Sequence, residues 1–209
     1  KTYLSRPETD QLRGMAMNLL GAGLFAARHH EHALSVTEAE LAMVRRVGAS
    51  KHELLATQGN LAIMYKRIGR LEEALRAVGD VYFGYLKLDG EGGVSTLVSA
   101  NNYADLLLLL ECFEEARSLM HRLVPVARRI LGNTHDYTLS MRKIYAEALY
   151  RNPGATLDDL REAVETLEEI ERTMRRVLGS AHPRVRMIGE SLESARAKLH
   201  VRETLSTSA

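Results

Sequence analysis

Tryptophan is absent, aromatic residues make up 5% of the chain, and proline occurs only four times in 209 residues. A chain so poor in aromatics and helix breakers, and rich in Ala, Leu, Glu and Arg, favours helix throughout and little or no sheet. Cys112 is the single cysteine, which excludes an internal disulfide framework and suits a reducing compartment. The longest uninterrupted apolar run, Leu106 to Leu110, is far too short to span a bilayer, and no charged-then-apolar signal segment opens the chain. A cytoplasmic location is therefore expected, with no membrane partner. Neither sign of charge dominates: Lys plus Arg number 28 and Asp plus Glu 27, a net +1, so the chain as a whole has no electrostatic bias toward nucleic acid. It opens on Lys1 rather than methionine, as a piece of a longer protein would.

What is present is repetition. LAIMYKRIGRLEEA, Leu61 to Ala74, is answered by YADLLLLLECFEEA, Tyr103 to Ala116, 42 residues on. Gly48, Gly90 and Gly132 keep the same interval, and Gly179 follows after 47. Leu55, Leu97 and Leu139 lie seven residues past their glycines, while His135 and His182 lie three past theirs. A fixed interval of this size marks a tandem array.

Each unit reads as two helices. In the third, the pattern predicts one helix over Thr96 to Leu110, a turn at Glu111-Cys112-Phe113, and a second helix over Glu114 to Ile130. The following glycine suits the left-handed conformation that ends a helix. Ser50 and Glu53 have the reciprocal capping spacing, and Pro183 fits a first helical position. Ala62, Ala104 and Ala146 on first helices, with Ala74, Ala116 and Ala163 on second helices, predict close axis-to-axis packing. The fourth unit's extra residues fall in the breaker-rich RNPGATL, Arg151 to Leu157. Pro125, inside a second helix, should bend it without breaking it. The expected plan is one helical repeat domain over 1–200, with units at about 9–48, 49–90, 91–132 and 133–179, a capping helix over 183–199, and a disordered tail over 201–209.

A helix pair with a small residue after leucine, the turn Gly69-Arg70-Leu71-Glu72-Glu73-Ala74, and an LGxxH element between units resembles the tetratricopeptide repeat, in the long form found in kinesin light chains. The resemblance implies an all-α, right-handed superhelix of antiparallel helix pairs whose first helices line a concave groove for an extended peptide or a partner helix. It also implies that the residues just before the small packing position face that groove. Here these are Asn60, Asn101 and Asn102, with Asn18 at the matching place in the divergent first unit and Ile144 replacing the asparagine in the fourth. Asparagine offers a donor and an acceptor to a peptide backbone. Along the same helices lie Lys66, Arg67, Asp105 and Lys143; the three cations fit an acidic ligand.

Competing readings of the polar residues are weaker. Arg45-Arg46, Arg128-Arg129 and Arg175-Arg176 each occupy a last helical turn, where cations complement the helix dipole, so they need no nucleic acid. His29-His30-Glu31-His32 lacks the helical spacing of a zinc site, and His52-Glu53-Leu54-Leu55-Ala56 lacks the second histidine of a zinc-protease helix. No phosphate loop and no nucleophile with a base partner is visible, so neither catalysis nor a cofactor is expected. The expected function is a non-catalytic surface that binds a protein or peptide. Self-association, or service as an assembly or sensor arm of a larger protein, stands as the alternative.

Overall fold

The computed structural model describes residue 7 and residues 11–207. Among the described residues there are nine helices and no strand. They fall into two compact units, residues 1–90 and 91–209. The expected start of the first repeat near residue 9 and the last residues of the expected tail lie outside the described residues.

In the first unit, α1 (Gln11–Ala26), α2 (His30–Arg46), α3 (Lys51–Arg67) and α4 (Leu71–Asp89) each pack on the next. Ala33, Leu34, Leu41, Leu61 and Met64 form one buried cluster between α2 and α3. Met17, Met43 and Val44 join α1 to α2 in another. The Ser50 hydroxyl accepts from the Glu53 amide at 3.2 Å, which supplies the side-chain cap of α3.

The second unit comprises α5 (Val94–Leu109), α6 (Phe113–Leu131), α7 (Asp136–Arg151), α8 (Leu157–Leu178) and α9 (Pro183–Thr207). Successive helices pack together, α5 also meets α7, and α7 meets α9. Its core places Leu160, Ala163, Leu167, Ile170 and Met174 of α8 against Val185, Ile188, Leu192 and Ala195 of α9 and against Leu139, Ala146 and Leu149 of α7. Positions three and four apart form the stripe on α8, so one face is buried, while Asp158, Glu162, Glu165 and Glu169 are exposed. α6 runs from Phe113 to Leu131 with Pro125 inside it.

The alanines behave as packing residues: Ala62, Ala74, Ala104, Ala116, Ala146 and Ala163 are all buried. The tight turn between paired helices needs one left-handed residue. Gly69 takes this conformation at φ 83°, and Glu111, at the equivalent place between α5 and α6, takes it at φ 60° despite its side chain. The histidine of the LGxxH element has a definite job. His135 Nδ1 accepts from the Tyr137 amide at 3.2 Å, and His182 Nδ1 accepts from the Arg184 amide at 3.2 Å, so each imidazole occupies an otherwise unpaired donor at a helix start.

Two details depart from sequence expectation. α9 continues to Thr207 instead of ending near Leu199. Arg202 donates to the Ala155 carbonyl at 2.9 Å and Glu203 pairs with Arg161 at 3.2 Å, so the extra turns are tied to the α7–α8 loop and to α8. The full capping box also forms at Thr156 and Asp159, at the start of α8, where the sequence reading placed only a turn.

Candidate functional site

The first unit contains a cleft of about 650 Å³ whose sides are α1 and α3 and whose back is α2. Asn18 and Asn60, the sequence-singled asparagines of this unit, both line it, together with apolar Met15, Leu19, Met43 and Val44. Asn60 is half-buried. At the back lies Glu40, only 5% exposed, with Oε2 lacking any hydrogen-bond partner among the described residues. Burial pushes the Glu40 carboxyl above its ordinary value; a hydrogen bond from Asn18 opposes the shift, and the Glu53 charge adds to it. The cleft thus offers apolar walls and a few fixed polar groups, the composition of a recognition site.

Lys66 and Arg67 do not line this cleft. They sit in the last turn of α3, where their charges complement the helix dipole, and the Arg67 guanidinium lies 5.8 Å from the Phe25 ring centroid. In the second unit, Asn101 is 8% exposed. Its amide Nδ2 donates to Asn102 Oδ1 at 3.5 Å, while its own Oδ1 is buried without a partner among the described residues. Asn102 and Asp105 are half-buried on the same helix. Lys143 pairs with Glu147 at 2.7 Å, and Glu147 also accepts from Ser191 at 2.9 Å, so the Lys143 charge is already engaged within the chain.

Sequence reading missed Glu40 and Arg142. Each left a signal, because Glu40 interrupts the buried stripe Ala33, Thr37, Leu41, Val44 of α2 and Arg142 interrupts Leu139, Ala146, Leu149 of α7. The histidines near residue 30 have packing roles: His30 lies 5.0 Å from Phe25 and His29 stands edge-on to His32, by ring centroids. No helix among the described residues is long and apolar enough to cross a membrane.

These observations define a class first: an all-α repeat protein built from antiparallel helix pairs. More narrowly, residues 54–81, within α3 and α4, match the tetratricopeptide repeat. Solved structures agree on the fold. Two crystal structures of nearly identical TPR-like repeats, from a protein assigned as a kinesin light chain in Podosopora anserina, superpose with TM-scores of 0.77 and 0.75. Their identities are 23% and 22%, and each alignment covers 97% of this chain and 92% of the other. BtubC (BKLC) from P. vanneervenii superposes at TM-score 0.64 with 16% identity, covering 95% of this chain and 83% of its own. A search of curated proteins finds no match. The fold is thus TPR-like and resembles that of kinesin light chain repeats.

Proposed function

We propose that this protein is a non-catalytic interaction module that holds an extended peptide or partner helix against its first helices, with the α1–α3 cleft as the principal contact. The observation that carries the reading is the meeting of Asn18 and Asn60 in one apolar-walled cleft over the incompletely paired carboxyl of Glu40. Met15, Leu19 and Val44 receive apolar side chains of the ligand, while the two carboxamides exchange hydrogen bonds with its backbone. Glu40 selects a donor group, such as a lysine ammonium or a serine hydroxyl, because a donor satisfies the lone oxygen. In the second unit, Asn102 and Asp105 offer polar groups on α5, with Asn101 buried beside Asn102. Lys66 and Arg67 contribute attraction for acidic residues flanking the bound segment. A reducing cytoplasm is the compartment that fits the one free thiol of Cys112.

The test is selection of binders from a random peptide library on the full chain, followed by titration against Asn18→Ala and Asn60→Ala variants that keep wild-type circular dichroism. The expected result is a peptide family with a recurrent donor side chain, weakened about tenfold by either change, as loss of a net hydrogen bond near 1.4 kcal/mol implies. Selected peptides that bind both variants as tightly as the parent refute the assignment. Self-association has one observation in its favour: Leu12, Met15 and Leu19 of α1 are exposed at 43%, 55% and 70%. A mass that grows with concentration and reverts in Leu19→Glu would favour that reading.

A further inference from the structure

A second polar site lies in the other unit, on the side formed by second helices. Between α6 and α8, with α7 behind, is a depression of about 380 Å³ lined by Arg128, Asn133, Arg142, Glu169, Arg172 and Thr173. Three arginines and a single glutamate line it, and Arg142 is the one that pairs with Glu169. Arg128, in the last turn of α6, complements that helix's dipole, but this explanation does not reach Arg142, which is in the middle of α7. Arg142 is only 6% exposed. Its Nη2 donates to Glu169 Oε2, and its Nε is buried with no acceptor among the described residues. Glu169, the counter-charge, is itself largely exposed, so its hold on Arg142 is open to competition from solvent and solutes. Burial, and then the adjacent Arg128 charge, push the Arg142 guanidinium below its ordinary value. The Thr173 hydroxyl is spent on the Glu169 carbonyl at 2.8 Å, which leaves the guanidinium groups and the Asn133 amide as donors.

The arrangement holds less negative than positive charge, one glutamate against three arginines. The Arg128 charge acts on Arg142, the Arg142 guanidinium is nearly dry and incompletely paired, and the net charge of the lining side chains is positive. Removing a buried cation from water is costly unless its donors are satisfied, so an oxyanion that supplies acceptors to several guanidinium groups at once would relieve the site. Planar guanidinium forks match phosphoryl oxygens in pairs, and a phosphoryl group at neutral pH carries about 1.5 to 2 negative charges. We propose that Arg128, Arg142 and Arg172 form a binding site for a phosphoryl group, free or carried on a protein side chain, distinct from the α1–α3 cleft.

The test titrates the full chain at low ionic strength with inorganic phosphate and with a phosphoserine peptide, each against its wild-type, Arg128→Ala, Arg172→Ala and Glu169→Gln forms. Arg128 and Arg172 are exposed, so their substitution leaves the core intact. The expected result is saturable binding that weakens at least tenfold in each arginine variant, as loss of a charge-assisted hydrogen bond implies, and weakens with added salt. Glu169→Gln should bind more tightly than wild type, and its melting temperature, lowered because Arg142 has lost its partner, should rise more on adding phosphate. Tighter binding of the phosphopeptide than of phosphate assigns the group to a protein ligand, and the reverse order assigns it to a small solute. No saturable binding to either wild type or Glu169→Gln, arginine variants that bind as well as the parent, or equal binding of the unphosphorylated peptide would overturn the proposal.

Discussion

Leu167→Ala should be among the most damaging single changes in the second unit. Leu167 is fully buried, and the α8 stripe it belongs to packs against both α7 and α9. The substitution loses the transfer free energy of the removed carbons and leaves a cavity that rigid neighbours such as Ile170, Leu149 and Ile188 fill only in part. Together these terms cost about 2.7–5.0 kcal/mol. For a chain of this size that lowers the melting midpoint by about 5–20 °C. Leu19→Ala is the matched control: the same atoms leave a side chain that is 70% exposed, so the cost should stay within about 0.5 kcal/mol. Urea and thermal denaturation followed by far-ultraviolet circular dichroism give both numbers. A Leu167→Ala protein within about 1 kcal/mol of wild type, or a Leu19→Ala protein as unstable as it, would refute the assignment of the second unit's stability to this interface.

Burial of Glu40 gives a pH signature. A carboxyl whose folded pKa lies above its ordinary value of 4.5 contributes stability that is complete below that value and lost as the pH rises through the folded one. Glu40→Gln should therefore gain on wild type in urea denaturation as the buffer is moved from below 4.5 to neutral; an unchanged difference would contradict the burial. The Thr156 hydroxyl accepts from the Asp159 amide at 3.1 Å, so Thr156→Ala should cost about 0.5–2 kcal/mol and Thr156→Ser should restore most of it, again by denaturation. Burial first, and then its hydrogen bond to Glu162, push the Tyr145 phenol up to about 12. Its stabilising contribution is complete below the ordinary value of 10.0 and lost as the pH rises through about 12, and alkaline difference spectra should lose a phenolate that forms near about 12 in Tyr145→Phe.

Much of the architecture was legible because packing repeats. The alanines marked helix–helix contacts, and the glycines Gly48, Gly90, Gly132 and Gly179 all adopt positive φ, as a glycine that ends a helix often does. The expected helices of the third repeat differ from α5 and α6 by no more than two residues at any end. The length of α9 was less legible, since Arg202 and Glu203 find partners more than 40 residues away in sequence. Site chemistry was harder still. Asn18 and Asn60 could be paired by repeat register, but Glu40 enters the cleft from α2, a second helix, which the groove pattern did not include. Likewise Arg128 looked complete as a dipole partner until α7 and α8 brought Arg142 and Arg172 beside it. Register along one helix set is readable from a repeat, whereas convergence between helix sets depends on the fold.

The most direct test of the central claim is to map a selected peptide onto the full chain by amide-resonance perturbation. The account predicts that changes centre on Asn18, Glu40 and Asn60, with Arg128 and Arg172 unmoved. Changes confined to the second helices, with the α1–α3 cleft silent, would contradict it.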